Sequence, residues 1–90
     1  MFKDETLDGF RGAVRARVTG ETGAPERLSS AIRALASEAR AAAVTAEHLV
    51  VRIKEEWESL LKHDLHRVPG ATSEVRDRII TSAIRAYYVQ

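Results

Sequence analysis

Apolar residues recur at helical spacing in the middle of the chain. Between residues 25 and 43 they advance in steps of four, three, four and three: Leu28, Ile32, Leu35, Ala39 and Ala42. Residues three and four apart share one face of a helix, so this stripe predicts an amphipathic helix. Pro25 suits the first helical position, where its missing N–H would have no partner in any case. We therefore predict a helix over 25–43, ending in small alanines that let a neighbouring helix approach closely.

Two interpretations compete for the segment that follows. The apolar stripe continues in phase through Ala46, Leu49, Ile53, Trp57 and Leu60. One uninterrupted helix over 25–62 would extend about 57 Å, too far for one small chain to bury its apolar face. Thr45 is instead a suitable N-cap, and Val44 before it is placed to pack on Leu49. We predict a break at 44–45 and a separate helix over 46–62.

A turn and a last helix follow. Pro69 and Gly70 are typical turn residues, since proline presets the first central position and glycine supplies a positive φ at the second. Ser73 is placed to cap the next helix, with acidic residues near its start and Arg85 near its end. We predict a helix over 74–88. Its apolar face is wide enough to contact two neighbours and comprises Val75, Ile79, Ile80, Ala83, Ile84 and Tyr87.

The N-terminal segment carries two competing patterns. Four apolar residues stand at helical spacing: Leu7, Phe10, Val14 and Val18. Gly9 and Gly12 weaken a helix there by up to about 1 kcal/mol each, and the segment 14–19 alternates as a strand would. Because no other segment offers a second strand to pair with it, we predict a helix over 4–18. A loop over 20–24 follows from its turn-forming residues.

Together these elements predict a single all-α domain over 1–90. It is a small helical bundle of three to four helices with short loops, in which 25–88 supplies the core helices and sequential helices pack antiparallel. The 44% apolar and 30% charged residues are typical of a folded chain. The pattern Glu-x-Leu recurs every 21 residues, which indicates either repeated helix-turn units or chance. It occurs at Glu5/Leu7, Glu26/Leu28 and Glu47/Leu49.

Charge and composition narrow the class of protein. The 14 basic and 13 acidic residues leave a net charge of +1, so the strong uniform field of most nucleic-acid binders is absent. The chain has no cysteine, and its first residues lack the order of a secretory signal, so we expect a cytoplasmic protein. The 11 arginines against three lysines, with many alanines, indicate a GC-rich bacterial genome.

Few residues suggest catalysis or ligand binding. His63 and His66 have a spacing that places two imidazoles on one helix face, but no third ligand stands at a motif-defined distance. Glu55, Glu56 and Glu58 form an acidic cluster whose side chains point in different directions on a helix, so we expect a solvent-exposed face. No Gly-x-Ser-x-Gly elbow or phosphate-binding glycine loop occurs. We predict a non-enzymatic protein that uses no cofactor or metal.

One alternative is a helix-turn-helix DNA-binding protein. The small Ala39, a tight turn at Ala43 and the apolar Leu49 partly match that motif. The usual turn glycine is absent, and Glu47 in the leading position repels phosphates. The candidate contacts with nucleic acid are Arg11, Arg15, Arg17, Arg52 and Lys54.

The main prediction is a small protein-interaction or regulatory module that binds a protein partner or a second copy of itself, without membrane contact. A chain of 90 residues buries only a modest core, so association would add stability. Aromatic side chains are enriched among residues that dominate interface energies. We expect Trp57 to continue the core stripe and Tyr88 to be the most exposed aromatic residue. The candidate partner-contacting residues are Trp57, Tyr87 and Tyr88.

Overall fold

A computed structural model describes residues 2–88 as a bundle of four α-helices. The all-α prediction is confirmed, and the segment 4–18 is helical rather than extended. Each predicted helix boundary lies within two residues of the observed one, and α3 continues into a π-helical turn, Leu61–Leu65. The helices are α1 (Asp4–Val18), α2 (Ala24–Ala41), α3 (Ala46–Leu60) and α4 (Ser73–Tyr88).

The break between α2 and α3 lies where the sequence predicts it. Val44 N–H donates to the Ala39 carbonyl at 2.7 Å and Ala43 N–H donates to the Arg40 carbonyl, the two hydrogen bonds of a Schellman motif. Ala43 accordingly adopts a left-handed conformation, with φ of 57°. Thr45 then caps α3, because its hydroxyl accepts a hydrogen bond from the His48 N–H at 3.2 Å. The stop and start signals are therefore both encoded locally.

Two details of the turn before α4 correct the sequence analysis. Thr72, not Ser73, provides the cap, since its hydroxyl accepts from the Val75 N–H at 3.3 Å. Both residues carry a capping hydroxyl, and the helix begins one residue earlier than predicted. Gly70 does not have the predicted positive φ, which among the described glycines is confined to Gly20 and Gly23. Its importance lies in a close approach to the end of α1.

Helix α2 lies at the centre of the packing, with its most extensive contacts to α1 and α4. The start of α1 meets the end of α2, where Lys3 N–H donates to Glu38 at 2.9 Å, so these helices are antiparallel. Arg40 donates to the Tyr87 carbonyl at 3.1 Å, which brings the C-terminal ends of α2 and α4 together. The Tyr87 hydroxyl donates to the Val44 carbonyl at 2.7 Å, placing the end of α4 beside the start of α3.

The core is a single cluster of buried side chains contributed by all four helices. Its largest fully buried side chains are Phe10 and Val14 from α1, Leu35 from α2, and Leu49 and Ile53 from α3. Burial of apolar surface at about 25 cal/mol per Å² is the main favourable contribution to such a fold. Among residues 2–88, no helix combines the length and the hydrophobicity needed to cross a membrane.

The 21-residue recurrence corresponds to three similar helix starts. In α1, α2 and α3 the glutamate lies in the first turn, where a carboxylate complements the positive helix end. The leucine two positions later is buried in each case. The residues are Glu5/Leu7, Glu26/Leu28 and Glu47/Leu49.

The contact between α1 and α2 should make part of the free energy of unfolding sensitive to acid. Hydrogen bonds from the Thr6 hydroxyl and then from the Lys3 backbone N–H lower the pKa of the Glu38 carboxyl. A carboxyl whose folded pKa is depressed stabilises the fold above its unfolded pKa, near 4.5, and loses this contribution as pH falls through the folded pKa. We expect Thr6→Val to lower the free energy of unfolding by about 0.5–1 kcal/mol at pH 7, because the carboxylate of Glu38 is only partly buried.

Urea unfolding across the acid range measures this effect. The difference between the wild type and Thr6→Val is expected to shrink as the pH falls below 4.5, because a protonated Glu38 gains little from the hydroxyl. Thr81→Val is the matched control, since Thr81 is exposed on α4. If the free energies of unfolding of the wild type and both variants changed with pH in parallel, the hydrogen bond between Thr6 and Glu38 would be contradicted.

Candidate functional site

A groove runs between α2 and α4 and has a volume of about 440 Å³. This volume falls within the range of small-molecule and peptide pockets, about 300–1,000 Å³. The floor is apolar and is formed by residues four or seven positions apart on each helix, so one face of α2 and one face of α4 contribute it. The floor residues are Leu28, Ile32, Val75, Ile79 and Ala86.

Exposed side chains, all of them polar or charged except that of Pro25, form two rims above this floor. On α2 the rim is a row of exposed residues four apart, Pro25, Ser29 and Arg33. On α4 the rim is the exposed row Arg78, Ser82 and Arg85. Each row stands next to the apolar row of its own helix, because residues one position away from a buried stripe lie about 100° around the axis.

Every charged residue that lines the groove in the described part of the chain is an arginine. Arg17, near the end of α1, joins the three rim arginines at the end of the groove where α2 begins, and no acidic residue of the described chain lines the groove. Arg78 forms an ion pair with Glu74 at 2.8 Å. Arg17, Arg33 and Arg85 form no ion pair or side-chain hydrogen bond within residues 2–88. Clustered like charges beside a low-dielectric wall produce a local positive potential even though the chain is nearly neutral.

A second charged cluster links α1 to α3 and corrects the prediction of a solvent-exposed acidic face. Glu56 is only 7% exposed, and its carboxylate contacts Arg11 Nε at 2.6 Å and Arg52 Nη2 at 3.2 Å. Arg11 also pairs with Asp8 at 2.8 Å. The hydrogen bond to Glu56 raises the pKa of the Arg11 guanidinium. This cluster joins two helices and is structural, because its two arginines pair with its two carboxylates, although Arg52 Nε is buried without a hydrogen-bond partner.

The candidate nucleic-acid contacts do not form one free basic face. Arg11 and Arg52 are bound to Glu56, and Arg15 pairs with Asp64 of the π-helical turn at 2.6 Å. Arg17 lines the α2–α4 groove. Lys54 is exposed on α3. Three of the five cations are therefore engaged with carboxylates, which lowers the charge that they offer to phosphates.

The three candidate aromatic residues occupy different environments. Trp57 is 2% exposed and belongs to the core, so its side chain is not accessible to a partner of the folded protein. Tyr87 is partly buried and its hydroxyl is bound to the Val44 carbonyl. Tyr88 is 71% exposed, and its ring packs edge to face on Tyr87 with centroids 5.2 Å apart. Of the three, Tyr88 alone presents most of its surface to solvent.

The histidines do not gather further ligands. His63 and His66 lie together at a shallow depression beside the π-helical turn. In the part of the chain that the structure describes, no three His, Asp or Glu side chains are placed to hold a metal ion.

Sequence reasoning missed the groove because its arginines come from three helices. The wide apolar face of α4 was the available signal, since it exceeds what one neighbour covers. Comparisons of the chain with protein-family models, with curated proteins and with solved structures found no match. The chemistry of the groove is therefore the basis for a functional hypothesis.

Proposed function

We propose that the protein is a non-enzymatic interaction module whose α2–α4 groove binds an acidic amphipathic helix of a partner protein. The observation that carries the proposal is an apolar floor lined by four arginines, with no acidic residue of the described chain among the lining residues. A helix that lays its apolar face into a groove is a common mode of peptide recognition. Acidic residues flanking that face would meet the arginines, whereas basic residues would be repelled.

The dimensions of the groove suit about three turns of helix. Val75 and Ala86, the outermost floor residues on α4, are 11 positions apart, or about 16 Å along the axis. The apolar contacts would supply most of the binding free energy. Exposed ion pairs contribute only about 0–1 kcal/mol each, so the arginines mainly determine specificity and the rate of association.

The groove lacks the groups that catalysis requires. Ser29 and Ser82 are its only nucleophilic lining residues within 2–88, and no His, Asp or Glu lines the groove beside them. A serine hydroxyl is a weak nucleophile without an adjacent general base. This lining supports a binding function rather than an enzymatic one.

A second copy of the chain is a less suitable occupant than a separate partner. The exposed face of α3 carries Glu47 and Glu55 on either side of Val51, which is 52% exposed. One apolar side chain fills little of a floor built from five residues. Contact between two different faces would also be heterologous and would lead to open chains unless it closed into a ring. We therefore expect the free protein to be mainly monomeric in light scattering.

The DNA-binding alternative predicts a different dependence of affinity on salt. Phosphate contacts release counterions, so affinity for a duplex would fall steeply between low and high salt. The pairing of Arg11 and Arg52 with Glu56 weighs against it. An electrophoretic assay with labelled duplex at tens of micromolar protein separates the two hypotheses, because our proposal expects no salt-sensitive shift.

A pair of neighbouring serines tests the docking proposal directly. Ser29→Phe places a large side chain at the mouth of the groove and is expected to weaken binding of an acidic amphipathic peptide at least about tenfold, or about 1.4 kcal/mol. Ser30→Phe is the matched control, since Ser30 is also exposed on α2 but does not line the groove. Fluorescence anisotropy with a labelled peptide measures both affinities.

The comparison has two further controls. Both serines are exposed, so each variant should unfold within about 0.5 kcal/mol of the wild type. A peptide with lysines in place of the glutamates should bind the wild type at least about tenfold more weakly. Equal binding by Ser29→Phe and Ser30→Phe would rule out the groove as the docking site.

A further inference from the structure

The spacing of the arginines on α4 describes the partner in more detail. Arg78 and Arg85 are seven residues apart on one rim of the groove, which corresponds to about 10.5 Å along the helix. Two residues seven apart on a docked helix have the same separation and face the same side. Ser82 lies between the arginines, where it offers a neutral hydroxyl instead of a third cation.

The two arginines are not equivalent in the free protein. Arg78 is paired with Glu74 at 2.8 Å, so a docked carboxylate has to compete with that partner. Arg85 has no ion pair among the described residues. Arg85 should therefore contribute more to recognition than Arg78.

The two ends of the groove differ in the helix termini that flank them, which favours one orientation of the docked helix. Arg17 and the first turn of α2 lie at one end, because only the short loop 19–23 separates α1 from α2. The C-terminal ends of α2 and α4 lie together at the other end, so both helix N-termini point toward Arg17. A helix has a partial negative charge at its C-terminus and a partial positive charge at its N-terminus. The C-terminus of a docked helix is therefore attracted to the Arg17 end.

We infer that the groove selects a helix that carries two acidic residues seven positions apart, facing Arg78 and Arg85, and that runs antiparallel to α2 and α4 with its C-terminal end at Arg17. This inference rests on the proposed function. It adds a spacing and an orientation, each of which can be wrong while helix docking itself is right.

Three labelled peptides test the spacing. Each is as long as α2, 18 residues, with leucines along one face and alanines elsewhere. The first peptide has two glutamates, seven positions apart, beside the leucines. In the second peptide, one of these glutamates is exchanged with an alanine on the opposite face of the helix. The third peptide has lysines in place of both glutamates. The second peptide is expected to bind the wild type about fivefold more weakly than the first.

Charge reversal of the rim provides the decisive comparison. The double variant Arg78→Glu/Arg85→Glu is expected to bind the first peptide about tenfold more weakly and to bind the lysine peptide instead. Lys62→Glu/Arg67→Glu makes the same change in net charge at exposed residues that lie outside the groove. This control should bind the first peptide as the wild type does.

The outcomes separate the inference from the proposed function. The spacing is wrong if the first two peptides bind the wild type equally and the lysine peptide binds the double variant no more tightly than it binds the wild type. Helix docking itself still stands in that case, provided that Ser29→Phe blocks binding. If none of the acidic peptides binds, or Ser29→Phe has no effect, the proposed function fails and the inference fails with it.

Paramagnetic labels test the orientation. A nitroxide at the C-terminus of the first peptide should broaden the amide resonances of isotope-labelled protein near Arg17 and Ala24. The same group at the N-terminus should broaden those near Ala86. The reverse pattern would overturn the antiparallel orientation.

Discussion

Trp57→Ala is expected to lower the free energy of unfolding by about 3–5 kcal/mol, the cost of removing a buried aromatic side chain and leaving a cavity. Trp57 is 2% exposed within the apolar cluster formed by the four helices. Small domains are stable by only about 0.05–0.15 kcal/mol per residue, so this one change would remove a large share of the total. Urea unfolding followed by circular dichroism measures the loss.

Tyr88→Ala is the matched control for Trp57→Ala. Tyr88 is the aromatic residue with 71% of its surface exposed, so its removal should change the stability by about 0.5 kcal/mol or less. The wild type offers a second check, because Trp57 is the only tryptophan and its emission should shift to longer wavelength on unfolding. Equal losses of stability for the two variants would contradict the placement of Trp57 in the core.

Gly70→Ala is expected to destabilise the protein by about 3 kcal/mol. A methyl group on Gly70 would overlap the Val18 carbonyl oxygen and lie 3.1 Å from the Val18 carbonyl carbon. Both atoms belong to the backbone at the end of α1, so relief requires the turn and the helix to separate. Overpacking that moves backbone typically costs about 1–3 kcal/mol, and a clash without a flexible side chain belongs at the upper end.

Gly9→Ala provides the opposite expectation for the same substitution. No atom outside its own helix segment lies within 4 Å of a methyl group built on Gly9, and alanine favours a helix interior by about 0.5–1 kcal/mol over glycine. This variant should therefore be more stable than the wild type. A Gly70→Ala protein as stable as Gly9→Ala in urea would show that the turn does not approach α1 closely.

The helices could be predicted from the sequence because their signals are local. Pro25 stands in the first turn of α2. Thr45 caps α3 by accepting a hydrogen bond from a residue only three positions further along the chain. Capping and periodicity involve neighbours within one or two turns, so a single sequence contains them. The error at Ser73 has the same origin, because Thr72 next to it carries an equivalent hydroxyl.

Features that depend on long-range packing could not be predicted in this way. Glu56 stands seven residues after Leu49 and so on the apolar stripe of α3, but nothing in the sequence indicates that its partner is Arg11 of another helix. Gly70 is typical of a turn, yet its requirement for glycine comes from Val18 of α1. Neither contact leaves a periodic pattern along the chain.

The groove shows the same limit at the level of function. Arg33 and Arg85 are ordinary polar residues beside an apolar stripe, and Arg17 is one of several arginines in α1. They share a site because α2 packs beside α4 with their C-terminal ends together. The net charge of +1 conceals this clustering, because composition averages over all faces of the molecule.

The most direct test of the docking groove is an NMR titration of isotope-labelled protein with the peptide that carries glutamates seven apart. Our account predicts saturable chemical-shift changes concentrated in residues 25–33 of α2 and 75–86 of α4, with the lysine peptide binding at least about tenfold more weakly. Changes centred on the exposed face of α3, or no saturable change at all, would contradict the central claim that the α2–α4 groove binds an acidic helix.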